Sequence, residues 1–327
     1  MTLRILFIGG NGVISGASSE LAVQRGYELT LLNRGRSSQR APIAGTRHLT
    51  GDAGDAASIA AAIGGETFDV VANFRSFSPE QVERDIALFE GRTRQYVYIS
   101  SASAYQKPIA RLPITESTPL RNPFWQYSRD KIAGEELLVA AYRERGFPMT
   151  IVRPSHTYDQ TLVPLLGGWT AIDRMRRGKP VVVQGDGTSL WTMTHTRDFA
   201  VAFVGLLGND RAIGEAFQIT SDEVLTWNQI AETLATAAGA EFRPAHIASD
   251  AIARELPEHG PGLLGDKAHS VIFDNGKVKS LVPEFRAVIP YWRGARETIA
   301  WHDADASRQV VDAELDAAFD RLIERYG

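Results

Sequence analysis

The chain opens on an unbroken apolar and β-branched run, residues 3–8, which predicts a buried strand. Gly9, Gly10 and Gly12 then turn the chain, and residues 13–24 read as a helix closed by Gly26. The alternation repeats through strand 28–32, a short third strand ending at Gly51-Asp52, helix 56–63, strand 68–73, helix 79–89 and strand 95–100. Buried strands alternating with helices predict the α/β class and a doubly wound parallel sheet covered on both faces. Residues 107–125 break the rhythm, being long, proline-rich and without period. Such a loop in a compact domain is usually functional, and this one is expected to lie over the active site. A long helix, 127–145, and a sixth strand, 149–154, follow.

After Tyr158 the character changes. A helix near 170–177, a strand at 180–184 and the turn Gly185-Asp186-Gly187 predict an excursion into a second, smaller C-terminal domain. Helix 196–207 and strand 216–220 read as a return to the main sheet. From residue 225 onward the segments read as helical or irregular, with 227–238 amphipathic and 312–326 a closing helix. The expected division is residues 1–158, with 194–224 returning to them, against 159–193 and 225–327.

Composition narrows the classes. The 327 residues are 44% hydrophobic and 23% charged, ordinary for a globular chain with a full core. A net charge of -4 argues against a general nucleic-acid binder, which needs a basic surface to displace counterions. With no cysteine there is no disulfide framework or thiolate metal site, and no His/Asp/Glu spacing asks for a metal. The first apolar run is too short to span a membrane and lacks a cleavage pattern, so a cytoplasmic protein acting on a small molecule is expected.

Two stretches carry candidate chemistry. Gly9-x-x-Gly12 stands directly after a buried strand and directly before a helix, where backbone approach and unpaired helix N–H groups suit a pyrophosphate. This makes 1–158 a dinucleotide-binding domain and the smaller part a substrate domain. A chain that binds NAD usually carries a carboxylate at the end of the second strand for the ribose diol. Asn33 stands there instead, and Arg34, with Arg36 behind it, offers guanidinium to a 2′-phosphate. NADP is therefore favoured, with NAD the alternative because Asn33 can also bond a diol. Asp52 is a candidate for the adenine. The second stretch is Tyr127-Ser128-Arg129-Asp130-Lys131, whose Tyr and Lys share one helix face. An ammonium beside the phenol favours the phenolate, so this spacing predicts a proton-transfer pair. Alone it occurs by chance on solvated helices; the glycine turn and the serine-rich strand end before it add weight.

Together these residues resemble the extended short-chain dehydrogenase/reductases, the NAD-dependent epimerase/dehydratase family. The likeness rests on Gly9-Gly10-Asn11-Gly12-Val13-Ile14, on Val97-Tyr98-Ile99-Ser100-Ser101-Ala102-Ser103-Ala104-Tyr105, on Tyr127-x-x-x-Lys131 and on Val152-Arg153-Pro154-Ser155. It continues through Gly185-Asp186-Gly187-Thr188, His195-x-x-Asp198 and Glu297-Thr298-Ile299-Ala300-Trp301. The resemblance implies a Rossmann sheet, with Tyr127 as general acid/base, Lys131 lowering its pKa and holding the nicotinamide ribose, and Ser101 bonding the reacting oxygen. It also implies cofactor contacts at Gly9, Gly12, Val13, Ile14, Asn73, Tyr127, Lys131 and Pro154, and a homodimer built on the helices at 79–89 and 127–145. Hydride transfer needs a proton moved on the same carbon's oxygen, which fits this trio independently.

Departures from the family pattern shape the rest. Ala102-Ser103 replaces the acidic pair of the sugar-nucleotide dehydratases, so that elimination is not expected. Ser15 replaces the closing glycine of the phosphate turn. His156 and Trp191 stand where epimerases carry an Asn and a diphosphate-binding Arg, and no second Arg occurs near Leu263. Ser103, His156 and Trp191 are the candidate substrate contacts, with Trp169 and Tyr158 able to add to an aromatic pocket. Three readings remain: an epimerase-like enzyme on a retained cofactor, an NADP-dependent carbonyl reductase, and a nucleotide-fold regulatory protein without turnover.

Overall fold

The computed structural model describes residues 2–35 and 40–327. In chain order its main elements are β1 (Arg4–Ile8), α1 (Val13–Gln24), β2 (Glu28–Asn33), β3 (Arg47–Thr50), α2 (Ala56–Ile63), β4 (Phe68–Asn73), α3 (Pro79–Phe89), β5 (Thr93–Ile99), α4 (Gln126–Arg145), β6 (Met149–Pro154), α5 (Trp169–Arg176), α6 (Thr196–Leu206), β7 (Ala216–Ile219) and α7 (Trp227–Ala237). The strands form one seven-stranded sheet in the order β7-β6-β5-β4-β1-β2-β3. Every pairing in it is parallel. The strand order reverses between β1 and β4, and ligands of such sheets sit outside the carboxyl ends at that point.

Strand periodicity explains the layers. Successive side chains of β1 point to opposite faces, so Ile5 and Phe7 join one apolar core while Leu6 and Ile8 join another. The first core is closed by α1 and α6 through Ala22, Phe199 and Phe203. The second is closed by α2, α3 and α4 through Ile59, Val82, Ile86 and Leu138. Because both faces are covered there, the central strands β1 and β4 are apolar at most positions, whereas the edge strand β3 is polar and largely exposed. A third core holds Tyr158, Trp169, Trp191 and Trp227, so these aromatics are packing residues rather than a pocket lining.

Several expectations change. β3 ends at Thr50, before Gly51-Asp52, and β5 ends at Ile99. The part beyond residue 225 contains two strands that were expected to be helical or irregular. Leu225–Thr226 pairs antiparallel with Leu190–Trp191, and Pro244–Ile247 pairs parallel with Val181–Gln184. Both are too short to show a period in sequence. The segment 107–125 does not cover the active site. It is stitched to later residues by the bridge Ile114 to Phe273, and fully buried Lys107 lies 3.7 Å from Asp266. Only its last residue, Trp125, reaches the cleft.

Candidate active site

A cleft of about 1000 Å3 runs along the carboxyl ends of the strands. At one end it is lined by Gly9, Gly12, Val13, Ile14, Asn33, Arg34 and Asp52, and at the other by Ser101, Trp125, Tyr127, Lys131, His156, Asp266 and Lys267. Pro154 lies on its wall. Two stretches far apart in sequence thus meet in one cavity.

The glycine end is shaped by backbone. Gly9 has φ +81, in the region that favours glycine, and a Cβ there would stand 2.5 Å from Arg75 Cγ. Ser15, the departure from the family turn, braces this loop: its hydroxyl accepts from Gly12 N at 2.7 Å and donates to Gly9 O at 2.7 Å. Val13 and Ile14 are the first residues of α1, whose amides have no intrahelical acceptor, so the helix offers donors and positive partial charge to the cleft. These features and the size of the cleft fit a dinucleotide pyrophosphate. Asn33 Oδ1 already accepts from Gly35 N at 2.9 Å, while Arg34 lines the cleft beside it. Arg36 lies outside the described residues. Arg40, also on the wall, is held by Asp159 at 2.5 Å.

At the other end, α4 places Tyr127, Lys131 and Glu135 one turn apart on a single face. Glu135 is buried and accepts from Arg153 Nε at 2.9 Å, Arg153 Nη2 at 2.5 Å and Ser100 Oγ at 2.5 Å. That pair ties α4 to β6 and to the end of β5. The Lys131 ammonium makes no hydrogen bond to the Tyr127 hydroxyl and is anchored by backbone instead. Its Nζ donates to the Ser76 carbonyl at 2.6 Å and the Ile99 carbonyl at 2.8 Å, and lies 5.8 Å from the Tyr127 ring centroid. Burial pushes the Lys131 pKa down to about 7, with Glu135 opposing. Tyr127 moves up rather than down, because burial penalises the phenolate more than the Ser101 hydroxyl nearby stabilises it; the Asp266 charge adds to the rise.

Three candidate contacts sit behind the wall. Asn73 is buried, its Nδ2 donating to Asp85 at 2.6 Å and its Oδ1 accepting from Arg75 N at 2.8 Å. Asp85 also accepts from Tyr96 Oη at 2.6 Å and from Ser76 Oγ, so Asn73 shapes the loop whose Ser76 carbonyl anchors Lys131. Ser103 is 3% exposed and bonds Ser101 rather than the cleft. Trp191 is 1% exposed, and its Nε1 donates to His156 Nδ1 at 3.1 Å. His156 does line the cleft. Burial, with Lys267 nearby, pushes its pKa down to about 3, so the ring is neutral and carries its proton on Nε2.

The sequence reading missed Phe74, Arg75, Phe77, Trp125, Asp266 and Lys267 on the wall. The first three follow β4, next to the reversal of strand order, so topology is their signal. Trp125 immediately precedes α4. Asp266 and Lys267 come from a π-helical turn, Leu263–Lys267, that has no sequence signature.

The sequence matches the NAD dependent epimerase/dehydratase family over residues 5–220. The chain belongs to that family. Among curated relatives of this family member, the 2'-dehydrokanamycin reductase of Streptomyces kanamyceticus is 28% identical over 99% of this chain and 91% of its own length. The chloroplast stem-loop binding protein of 41 kDa b of Arabidopsis thaliana is 29% identical over 72% of this chain, a match that spans 63% of the plant protein. Among solved structures, UDP-glucose 4-epimerase from Bifidobacterium longum, in complex with NAD+ and UDP, superposes with a TM-score of 0.72. It covers 93% of this chain and 99% of its own at 17% identity, which shows the shared fold. Among the described residues of this epimerase/dehydratase family chain, no helix is long and apolar enough to cross a membrane.

Proposed function

We propose that this chain is an NADP-dependent carbonyl reductase of the epimerase/dehydratase family, acting on a ketone of a polar, sugar-like compound. The observation that carries it is the meeting of Ser101, Tyr127 and Lys131 with the glycine turn in one cleft. Gly9, Gly12, Val13 and Ile14 would hold the pyrophosphate, Asp52 the adenine side, Arg34 a 2′-phosphate, and Lys131 and Pro154 the nicotinamide side. Bound there, the nicotinamide supplies a hydride to the carbonyl carbon. Tyr127 gives its proton to the carbonyl oxygen, and Ser101 donates a hydrogen bond to that oxygen as it gains charge. A tyrosine raised by burial rests as the phenol at neutral pH, which suits proton donation to a ketone better than proton removal from an alcohol.

The substrate end favours a compound without a diphosphate. Its wall offers Trp125, neutral His156, Asp266 and Lys267, and the buried Trp191 behind His156 fills the place of a family arginine. The likeness to 2'-dehydrokanamycin reductase over 99% of this chain supports the same reading. We assign substrate selection to residues 159–193 and 225–327, which supply Asp266 and Lys267. The intact Ser101, Tyr127 and Lys131 set, with a net charge of -4, weighs against an RNA-binding role without turnover.

The test is to denature freshly purified protein, identify any released dinucleotide by mass spectrometry, and titrate the emptied protein with NADPH and NADH by fluorescence. A reductase releases its cofactor between turnovers, so substoichiometric retention and tighter binding of NADPH are expected. Stoichiometric retained NAD would instead identify an epimerase that recycles its cofactor.

A further inference from the structure

Behind Ser101 runs a chain of hydroxyls with a fixed direction. Ser128, buried on α4 immediately after Tyr127, donates from Oγ to Ser103 Oγ at 2.7 Å. Ser103 Oγ lies 2.9 Å from Ser101 Oγ, and Ser103 N donates to Ser101 Oγ at 3.1 Å. A serine hydroxyl has one proton and two lone pairs. Ser103 is buried, and besides Ser128, which donates to it, its hydroxyl has only Ser101 as a partner among the described residues, so its own proton goes to Ser101. Ser101 then accepts from both the Ser103 hydroxyl and the Ser103 amide, which uses both lone pairs.

We propose that Ser103 and Ser128 are positioning residues that leave Ser101 one task, donation of its proton to the reacting oxygen in the cleft. This rests on the reductase reading and deepens it. A carbonyl oxygen has two lone pairs, and the arrangement aims two donors at it, Ser101 and the Tyr127 phenol. Because each hydroxyl in the chain polarises the next, the Ser101 proton is a better donor than that of an isolated serine. Its orientation is set before charge develops, so nothing has to turn during the reaction. The scaffold also holds the chain in place. Asn122 Nδ2 donates to the Ser103 carbonyl at 2.9 Å and to the Gly265 carbonyl at 2.7 Å, joining the serine turn to the segment that carries Asp266. Ser103 thus occupies the position of a dehydratase acid and acts only through its neighbour.

The experiment needs no substrate. The full chain is labelled with 13C at the tyrosine ζ carbon, and the Tyr127 resonance is assigned by its loss in Tyr127→Phe. At pH 8 its shift reports the Ser101 hydroxyl beside the phenol. Ser101→Ala, Ser103→Ala and Ser128→Ala are expected to move it in the same direction. Ser103→Thr, which keeps the hydroxyl, is expected to return it, while the Tyr98 and Tyr105 resonances stay fixed. If Ser101→Ala moves the resonance and neither Ser103→Ala nor Ser128→Ala does, the relay is wrong and the functional reading stands. If Ser101→Ala itself leaves it unmoved, Ser101 and Tyr127 do not share one oxygen and the functional reading fails. Should Ser128→Ala not fold, the Ser103→Ala and Ser103→Thr pair decides alone.

Discussion

At its nucleotide end the cleft is built around one continuous stretch, Gly9 to Ser15, with the residues that follow β2 and β3 beside it. At its substrate end it is side chains from widely separated segments: Ser101, Trp125 to Lys131, His156, and Asp266-Lys267. The phosphate turn of the first end needs only a strand, glycines and a helix start, all set by neighbours in sequence. The second needs the sheet, α4 and a late π-helical turn to be in place together. The difference separates what the fold supplies to any family member, a dinucleotide seat, from what this chain supplies itself, the choice of substrate.

The sharpest break of that separation is Tyr127→Phe. It belongs to the substrate end, so carbonyl reduction is expected to fall by about 10²–10⁴-fold while NADPH affinity is unchanged. Comparable losses in both would show that the two ends are one unit. Next in size is Glu135→Gln, which leaves the buried Arg153 guanidinium without its carboxylate. The expected loss is on the order of 3–5 kcal/mol by urea unfolding, with kcat falling more than NADPH affinity because α4 carries Tyr127. A loss below about 1 kcal/mol, the size of a surface pair, would show that this tie does not hold the helix.

Lys131 gives the pH arm. Its folded pKa, about 7, lies below its ordinary value of 10.5, so the unfolded chain holds the proton more tightly. The penalty is therefore complete below about pH 7 and is relieved as pH rises from there toward 10.5. Wild type is expected to gain up to about 1.4 kcal/mol per pH unit across that window, relative to Lys131→Met. Parallel stability curves for the two proteins would place the ammonium in water. The smallest effect is at the nucleotide end: Arg34→Ala is expected to weaken NADPH about tenfold, one charge-assisted bond, and to leave NADH unchanged. Equal loss for both cofactors, measured by fluorescence titration, would remove the 2′-phosphate assignment.

Legibility in the sequence followed the same line. Local patterns located β1, α1, β4, α3, α4 and β6 nearly to the residue: the buried strands read as apolar runs, α3 has one apolar face, and α1 is framed by the glycine turn and Gly26. The glycine turn and Tyr127-x-x-x-Lys131 were visible for that reason. The position of the Lys131 ammonium was not. It depends on the Ser76 and Ile99 carbonyls, 55 and 32 residues away. Nor does sequence tell a lining aromatic from a packed one: Trp125 faces the cleft while Trp169 and Trp191 fill a core. Ser103 reads as a substrate contact from its place beside Ser101, and only the hydrogen bonds show it facing inward.

The most direct test of the account follows the hydride and the proton together. Wild type and Tyr127→Phe are incubated with NADPH deuterated at its transferable position and a panel of keto sugars that includes 2'-dehydrokanamycin, and product alcohols are read by mass spectrometry. The account predicts one deuterium in the product of the wild type and almost no product from Tyr127→Phe, although both bind NADPH. Deuterated product formed by Tyr127→Phe at the wild-type rate would contradict it.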